Sequence, residues 1–121
     1  MNPPRALLAI AAAIALLGVS AASADRRATH DERRAIAKAV DLPKKCIRAR
    51  ISTVTERPKW ALWHWVPRAE KCEPFASDGV SVLKFKNGRW RFVTAGSSFT
   101  CAELYRDVPR KVVRDFELDC I

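Results

Sequence analysis

Four cations flank a single Asn-Gly dipeptide: Lys84 and Lys86 precede Asn87-Gly88, and Arg89 and Arg91 follow it. Asn-Gly between two strand-like runs predicts a two-residue type I′ hairpin, because both central residues need positive φ. Counting outward from that turn sets Lys86 opposite Arg89, Phe85 opposite Trp90, Lys84 opposite Arg91, Leu83 opposite Phe92 and Val82 opposite Val93. Lys84, Lys86, Arg89 and Arg91 then share one face of the hairpin, while Leu83, Phe85, Trp90 and Phe92 share the other. Like charges held directly opposite each other ordinarily cost stability. Either solvent screens them, or they meet an anionic surface: a wall polymer, a lipid head group, an acidic protein or a nucleic acid. Contacts of the second kind weaken steeply as salt rises. Arg48 and Arg50 add to the same positive balance.

Other reactive side chains are few. His64 is the one histidine inside the predicted fold, and no Ser, Cys or Asp stands beside it in a motif that would make it a general base. Dinucleotide, phosphate-loop, zinc-protease, nucleophile-elbow and calcium-loop patterns are absent, so no catalytic residue, cofactor or metal is expected. Trp60, Trp63, Trp65 and Trp90 form a dense aromatic set. Trp60-Ala61 and Trp90 are expected in the core. Trp63 and Trp65 alternate onto the face opposite Trp60, so one helix-covered core cannot hold them all. Either the sheet curves strongly or an indole is exposed, free to stack on a sugar or base.

The carrier of these residues is a chain of 121 residues with 22 Lys+Arg against 13 Asp+Glu, a net charge of +9. That length holds one domain rather than a large α/β enzyme or a repeat array. With 49% hydrophobic and 29% charged residues, the chain is globular rather than disordered. Residues 1–24 read as a secretory signal peptide: Arg5 as a basic start, an uncharged apolar run over 6–19, and Ala22-Ser23-Ala24 as the cleavage pattern. That run is shorter than the roughly 20 residues a membrane-spanning helix needs. Cleavage after Ala24 leaves a secreted domain, residues 25–121, with no transmembrane span, and losing Arg5 lowers the charge from +9 to +8. Cys46, Cys72, Cys101 and Cys120 all survive. An even count in a small exported domain predicts two disulfides, and the absence of CxxC spacing argues against zinc.

Elements follow from pattern. Residues 25–28 read as a frayed tail. Thr29 and Glu32 fit a capping box opening a helix whose apolar face is Ala35, Ile36, Ala39 and Val40, with Arg33, Arg34 and Lys38 away from it; Leu42-Pro43 closes it. Ile47, Ala49, Ile51 and Thr53 alternate with Arg48, Arg50 and Ser52 as a first strand. A second strand spans 60–66, a loop spans 67–78, a third strand spans 80–86, and the hairpin returns in a fourth. Asp107 as N-cap and Pro109 open a last short helix with Val108, Val112 and Phe116 on one face. The whole is α+β: an N-terminal helix packed on a four-stranded antiparallel meander, a short C-terminal helix and two disulfides. If the first two strands form a hairpin, Cys46 comes beside Cys72, and Cys101 and Cys120 bracket the last helix. Each bridge then contributes roughly 3 kcal/mol.

Trp60-Ala61, the run Gly88-Arg89-Trp90-Arg91-Phe92-Val93, Gly96-Ser97-Ser98, Cys101, Val108-Pro109 through Val113, and Cys120 together form a pattern. It resembles small exported bacterial proteins, chiefly of actinobacterial type, whose function is unassigned. The order of elements is also similar to the cystatin-like and nuclear-transport-factor-2-like superfold. Cystatins bind proteases through a Gln-x-Val-x-Gly hairpin loop, where this chain has Lys86-Asn87-Gly88-Arg89. The sequence therefore points to a non-enzymatic binding or envelope-associated module, or else to an inhibitor of a secreted hydrolase presenting the 67–78 loop, or a small-ligand binder using the Trp-rich strand. Expression of the full chain in a secreting bacterial host, followed by N-terminal sequencing, is expected to yield a protein starting at Asp25; a retained Met1 would refute the signal assignment.

Overall fold

A computed structural model describes residues 25–121; the expected signal segment, 1–24, lies outside the described residues. The elements in chain order are β1 (Arg26–Arg27), α1 (His30–Ala39), β2 (Ile47–Ile51), β3 (Lys59–Trp65), β4 (Val80–Lys86), β5 (Arg89–Gly96), α2 (Cys101–Asp107) and α3 (Arg110–Asp115), with 3₁₀ turns at Lys44–Cys46 and Glu70–Phe75. The sheet has five antiparallel strands in the order β1-β2-β3-β4-β5, not four. The extra strand is the segment expected to fray. Arg26 and Arg27 pair with Ile51 and Arg50, and the Ala28 N–H donates to the Ala49 carbonyl at 3.0 Å.

Charge pins that short edge strand. The Arg26 guanidinium donates to both Glu32 carboxylate oxygens, at 2.6 and 2.8 Å, and Lys59 Nζ stands 3.8 Å from the same group. Glu32 is also the reciprocal half of the capping box: it accepts from the Thr29 N–H at 2.9 Å, while Thr29 Oγ1 accepts from the Glu32 N–H at 3.2 Å. One carboxylate thus starts α1 and holds β1. On the strand side, Asp25 accepts from the Arg50 guanidinium, with Nε at 2.7 Å.

Both faces of the sheet are covered. On one, α1 buries Ile36 and Ala37 against Ile47, Ala49, Ile51, Ala61, Leu83 and Trp90, with Trp63 and Phe85 packed around them. On the other, α2 and α3 bury Leu104, Val112 and Val113 against Trp60, Leu62 and Val82. This resolves the tryptophan alternation: Trp60 and Trp63 belong to separate cores on opposite faces, so neither strong curvature nor a bare indole is required. The helical face also differs from expectation. Ile36 and Ala37 are buried, whereas Ala35 and Ala39 are exposed and line an open cleft toward the hairpin. Arg33, one turn before Ile36 and Ala37, is half-buried with them.

The second helical layer brings local corrections. Ser52 was expected outward and Thr53 inward, but Ser52 is buried under α3, where its Oγ donates to Asp115 Oδ2 at 2.6 Å, and the Thr53 N–H donates to the same oxygen at 2.8 Å. Asp107 ends α2, capped instead by Thr100, while Pro109 precedes α3. Val108, Val112 and Phe116 are all buried, but Val108 lies in extended backbone between α2 and α3 and not in the helix expected to carry all three. In the 67–78 segment, expected as a loop, the chain forms the 3₁₀ turn that carries Cys72.

The disulfides join Cys46 to Cys72 and Cys101 to Cys120, closing separations of 26 and 19 residues. The Trp65 Nε1–H donates to the Cys72 carbonyl at 2.7 Å, fastening to β3 the 70–75 turn that the disulfide ties to the start of β2. Cys46 precedes β2 and Cys72 follows β3, so the first bridge joins the adjacent ends of that antiparallel pair.

The hydrogen bond from Arg26 holds the Glu32 carboxyl down at about 2, against the opposing effect of burial and with help from the Thr29 N–H. A carboxyl depressed in the folded state stabilises the protein above its unfolded value, about 4.5, and that contribution is lost as pH falls toward about 2. Glu32→Ala is expected to cost about 2 kcal/mol at pH 7 and to flatten the stability profile over that acid window. Urea denaturation across pH checks both; an undiminished acid slope in the variant would refute the assignment.

Candidate functional site

The β4–β5 hairpin carries the cations as counted. Asn87 and Gly88 have φ of 54° and 78°, the conformation the turn demands, and Lys84 pairs with Arg91 and Lys86 with Arg89. One pairing differs: Val82 lies opposite Thr94, because a bulge leaves Val93 as an extra residue packed toward α2 and α3. Phe92, on the face it shares with Leu83 and Trp90, is 63% exposed, since β5 is an edge strand and α1 covers Trp90 but not the residue two further on.

The four cations occupy the sheet face that also carries Trp60 and Val82, at the corner that α2 and α3 leave open. Lys84 Nζ lies 5.5 Å from the centroid of the Trp60 ring on the neighbouring strand. The contact favours the ammonium by about 0.5–2 kcal/mol and partly offsets the repulsion from Arg91. The indole beneath is 4% exposed, and its Nε1–H has no hydrogen-bond partner among the described residues. Trp60 is therefore a buried base for Lys84 and not a stacking platform. Among the described residues no carboxylate lies within 4.0 Å of a side-chain nitrogen of Lys84, Lys86, Arg89 or Arg91, whereas Arg26, Arg34, Arg50, Lys59 and Arg106 all have acidic partners.

Tertiary pairing adds two cations that linear reading missed. The β2–β3 connection, residues 52–58, returns beside the end of β4, with Lys59 opposite Phe85. Arg57, Lys59, Lys84 and Lys86 thereby line an open groove of about 620 Å³ at the end of the sheet, Lys59 from the α1 face that Phe85 shares and Lys84 and Lys86 from the Trp60 face, with Glu56 the single acid on the lining. Nothing along the chain links Arg57 to Lys86; only the β3–β4 register brings them together.

Arg48 and Arg50 sit elsewhere. With Arg27 they fall on the same sheet face but on the β1–β2 side, beyond the helices. His64 stands opposite Arg48 there and makes no hydrogen bond to another described residue. Partial burial, then Arg48 and Arg50, lower its pKa below the ordinary 6.5. Phe75, on the 3₁₀ turn held by the Cys46–Cys72 bridge, is also exposed, as are Val54 and Ile121.

Among the described residues no three His, Cys, Asp or Glu side chains gather as a metal site, and no helix is long and apolar enough to cross a membrane. Comparison of the chain with protein-family models, curated proteins and solved structures finds no match.

Because the His64 pKa is lowered, folding favours the neutral ring; its contribution to stability is complete above about 6.5 and declines as pH falls below that value. An NMR titration of the His64 ring is expected to give a midpoint below 6.5, rising in Arg48→Ser. A midpoint at or above 6.5 in the native protein would contradict this environment.

Proposed function

We propose that this chain is an exported, disulfide-stapled, non-enzymatic module that holds an anionic partner through the hairpin face of Lys84, Lys86, Arg89 and Arg91. The observation that carries the reading is the direct cross-strand opposition of four cations on one hairpin face, none of which has an acidic partner among the described residues. Two disulfides suit an extracellular or periplasmic location, where such bonds persist. A helix followed by an antiparallel sheet is the element order of cystatin-like domains, but the hairpin here presents charge in place of their apolar inhibitory loop. An anionic envelope polymer or an acidic protein fits that chemistry.

A second reading, an inhibitor of a secreted hydrolase, draws on Phe75, exposed on a turn that both a disulfide and the Trp65 hydrogen bond immobilise. Such a loop is preorganised to enter an apolar cleft. Salt separates the two readings, because an apolar anchor tolerates ionic strength and a cationic face does not.

Exposed charges contribute about 0.5–1 kcal/mol each, so replacing all four by Ser is expected to weaken retention on phosphocellulose roughly a hundredfold near 0.15 M salt. The native protein should elute as salt rises and the variant much earlier. Equal elution of the two would overturn the reading, and a single partner captured from culture secretions and kept in 1 M salt would favour the inhibitor.

A further inference from the structure

The sheet face turned away from the hairpin cations carries a cleft of different chemistry. Trp63 of β3 pairs with Ser81 of β4, and Ser81 pairs with Ala95 of β5, so the three side chains form one cross-strand row. Trp63 packs on the α1 core, which places the row on the α1 face. The two residues next to its indole in that row are small, and they leave the flank of the ring uncovered. Here the surface opens into a cleft of about 340 Å³, within the range of about 300–1,000 Å³ typical of small-ligand sites. Ser77, Asp78 and Gly79, ahead of β4, and Ser97, just after β5, complete its rim.

Backbone packing fixes that rim. A Cβ at Gly79 would lie 2.8 Å from the Gly96 carbonyl oxygen, so only glycine lets the 77–79 segment close onto the end of β5. The β4–β5 ladder runs up to the same point, where Val80 pairs with Gly96. The Gly79 N–H donates to Ser77 Oγ at 3.4 Å, which leaves the hydroxyl proton of Ser77 for another acceptor.

The lining selects a class of ligand. In a chain with 22 Lys+Arg, no Lys or Arg borders this cleft, and its one charged group is Asp78, so a phosphate, sulfate or carboxylate meets no counter-charge there. A single indole is less than the aromatic cage that holds a quaternary ammonium. The Nε1–H of Trp63 is shut off from solvent and has no hydrogen-bond partner among the described residues, so this half-buried ring turns carbon surface toward the cleft. Around it stand the serines at 77, 81 and 97, whose hydroxyls both donate and accept, and a carboxylate that accepts. A pyranose has the matching pattern: a C–H face that stacks on an aromatic ring, and an edge of hydroxyls that donate and accept. We propose that this cleft binds a neutral saccharide, one sugar ring lying against the Trp63 indole with its hydroxyls bonded to the serines and Asp78 of the rim. The proposal does not rest on the anion-binding reading of the hairpin, because the two surfaces lie on opposite faces of the sheet.

NMR of the indole N–H signals of the nitrogen-labelled full chain, with the Trp63 signal assigned through Trp63→Phe, tests the site. The probes are cellotriose, maltotriose and triacetylchitotriose, each raised to about 10 mM, with choline and inorganic phosphate as charged comparators. At least one of the three sugars is expected to move the Trp63 signal with a dissociation constant of about 1 mM or tighter, while the signals of buried Trp60 and Trp90 stay in place. No ion pair is involved, so the affinity should change by less than about twofold between about 0.1 and 1 M salt. Ala95→Leu, at an exposed position, and Ser81→Val each fill the row beside the indole and should weaken binding roughly tenfold. Lys84→Ser/Arg91→Ser, on the other face, should change it by less than about twofold. Unchanged thermal midpoints in the two row variants separate a filled cleft from unfolding. A Trp63 signal that no sugar moves, choline or phosphate binding as tight as the best sugar, or affinity retained in a folded Ala95→Leu or Ser81→Val variant would each overturn the proposal. None of these results alters the phosphocellulose test of the hairpin face.

Discussion

The central strand β3 is apolar on both sides, and most of the architecture follows from that constraint. Trp60 and Leu62 project to one face while Ala61 and Trp63 project to the other, and each pair joins a different helical layer. A strand of this kind cannot lie at a wet surface, so the chain must supply helices to both faces of one sheet. α1 covers one side before the sheet is complete, and α2 with α3 return to cover the other. Charged residues on the strands are thereby confined to the corners the helices do not reach. The basic hairpin face is one such corner, and Arg27, Arg48 and Arg50 mark another.

Polar contacts lock these layers at their ends. Glu32 serves α1 as a cap and β1 as an ion partner, joining the first helix to the sheet edge. Asp115, 4% exposed, does the equivalent for α3 by accepting from Ser52 and from the Thr53 backbone. Leaving a buried carboxylate unbonded costs far more than leaving an exposed one, so this tie constrains where β2 ends and where the 52–58 connection begins. The disulfides tie the ends of β2 and β3 and bracket the C-terminal helices, adding covalent restraint to a domain with two modest cores.

Two kinds of cation emerge from the geometry. Arg26, Arg50 and Lys59 face carboxylates and take part in holding the fold. Lys84, Lys86, Arg89 and Arg91 face one another, and the ring of Trp60 supports one of them. The first kind is spent on structure; the second leaves a positive potential at the surface that a partner can neutralise. Lys59 lies between the two, at the end of the Glu32 cluster and on the wall of the groove.

The sequence by itself determined whatever depended on neighbours along the chain. The Thr29–Glu32 capping box and the Asn87-Gly88 turn with its paired Lys and Arg residues were legible, because each is set by local dihedrals or by a repeat of two residues; Val108, Val112 and Phe116 are buried as expected, but Val108 is extended between α2 and α3, outside the helix its spacing implied. The cysteine pairing was legible one step further, from the adjacency of strand ends. Contacts between distant segments were not. Arg26 and Arg27 have no strand pattern, and they pair only because Glu32 and β2 are there to receive them. Ser52 reads as solvent-facing until α3 arrives with Asp115. Arg57 and Lys59 look like connection residues until the β3–β4 register sets them beside Lys84 and Lys86. Periodicity shows which side of a strand a residue occupies, but only the folded chain decides what covers that side, and so which charges remain open to a ligand.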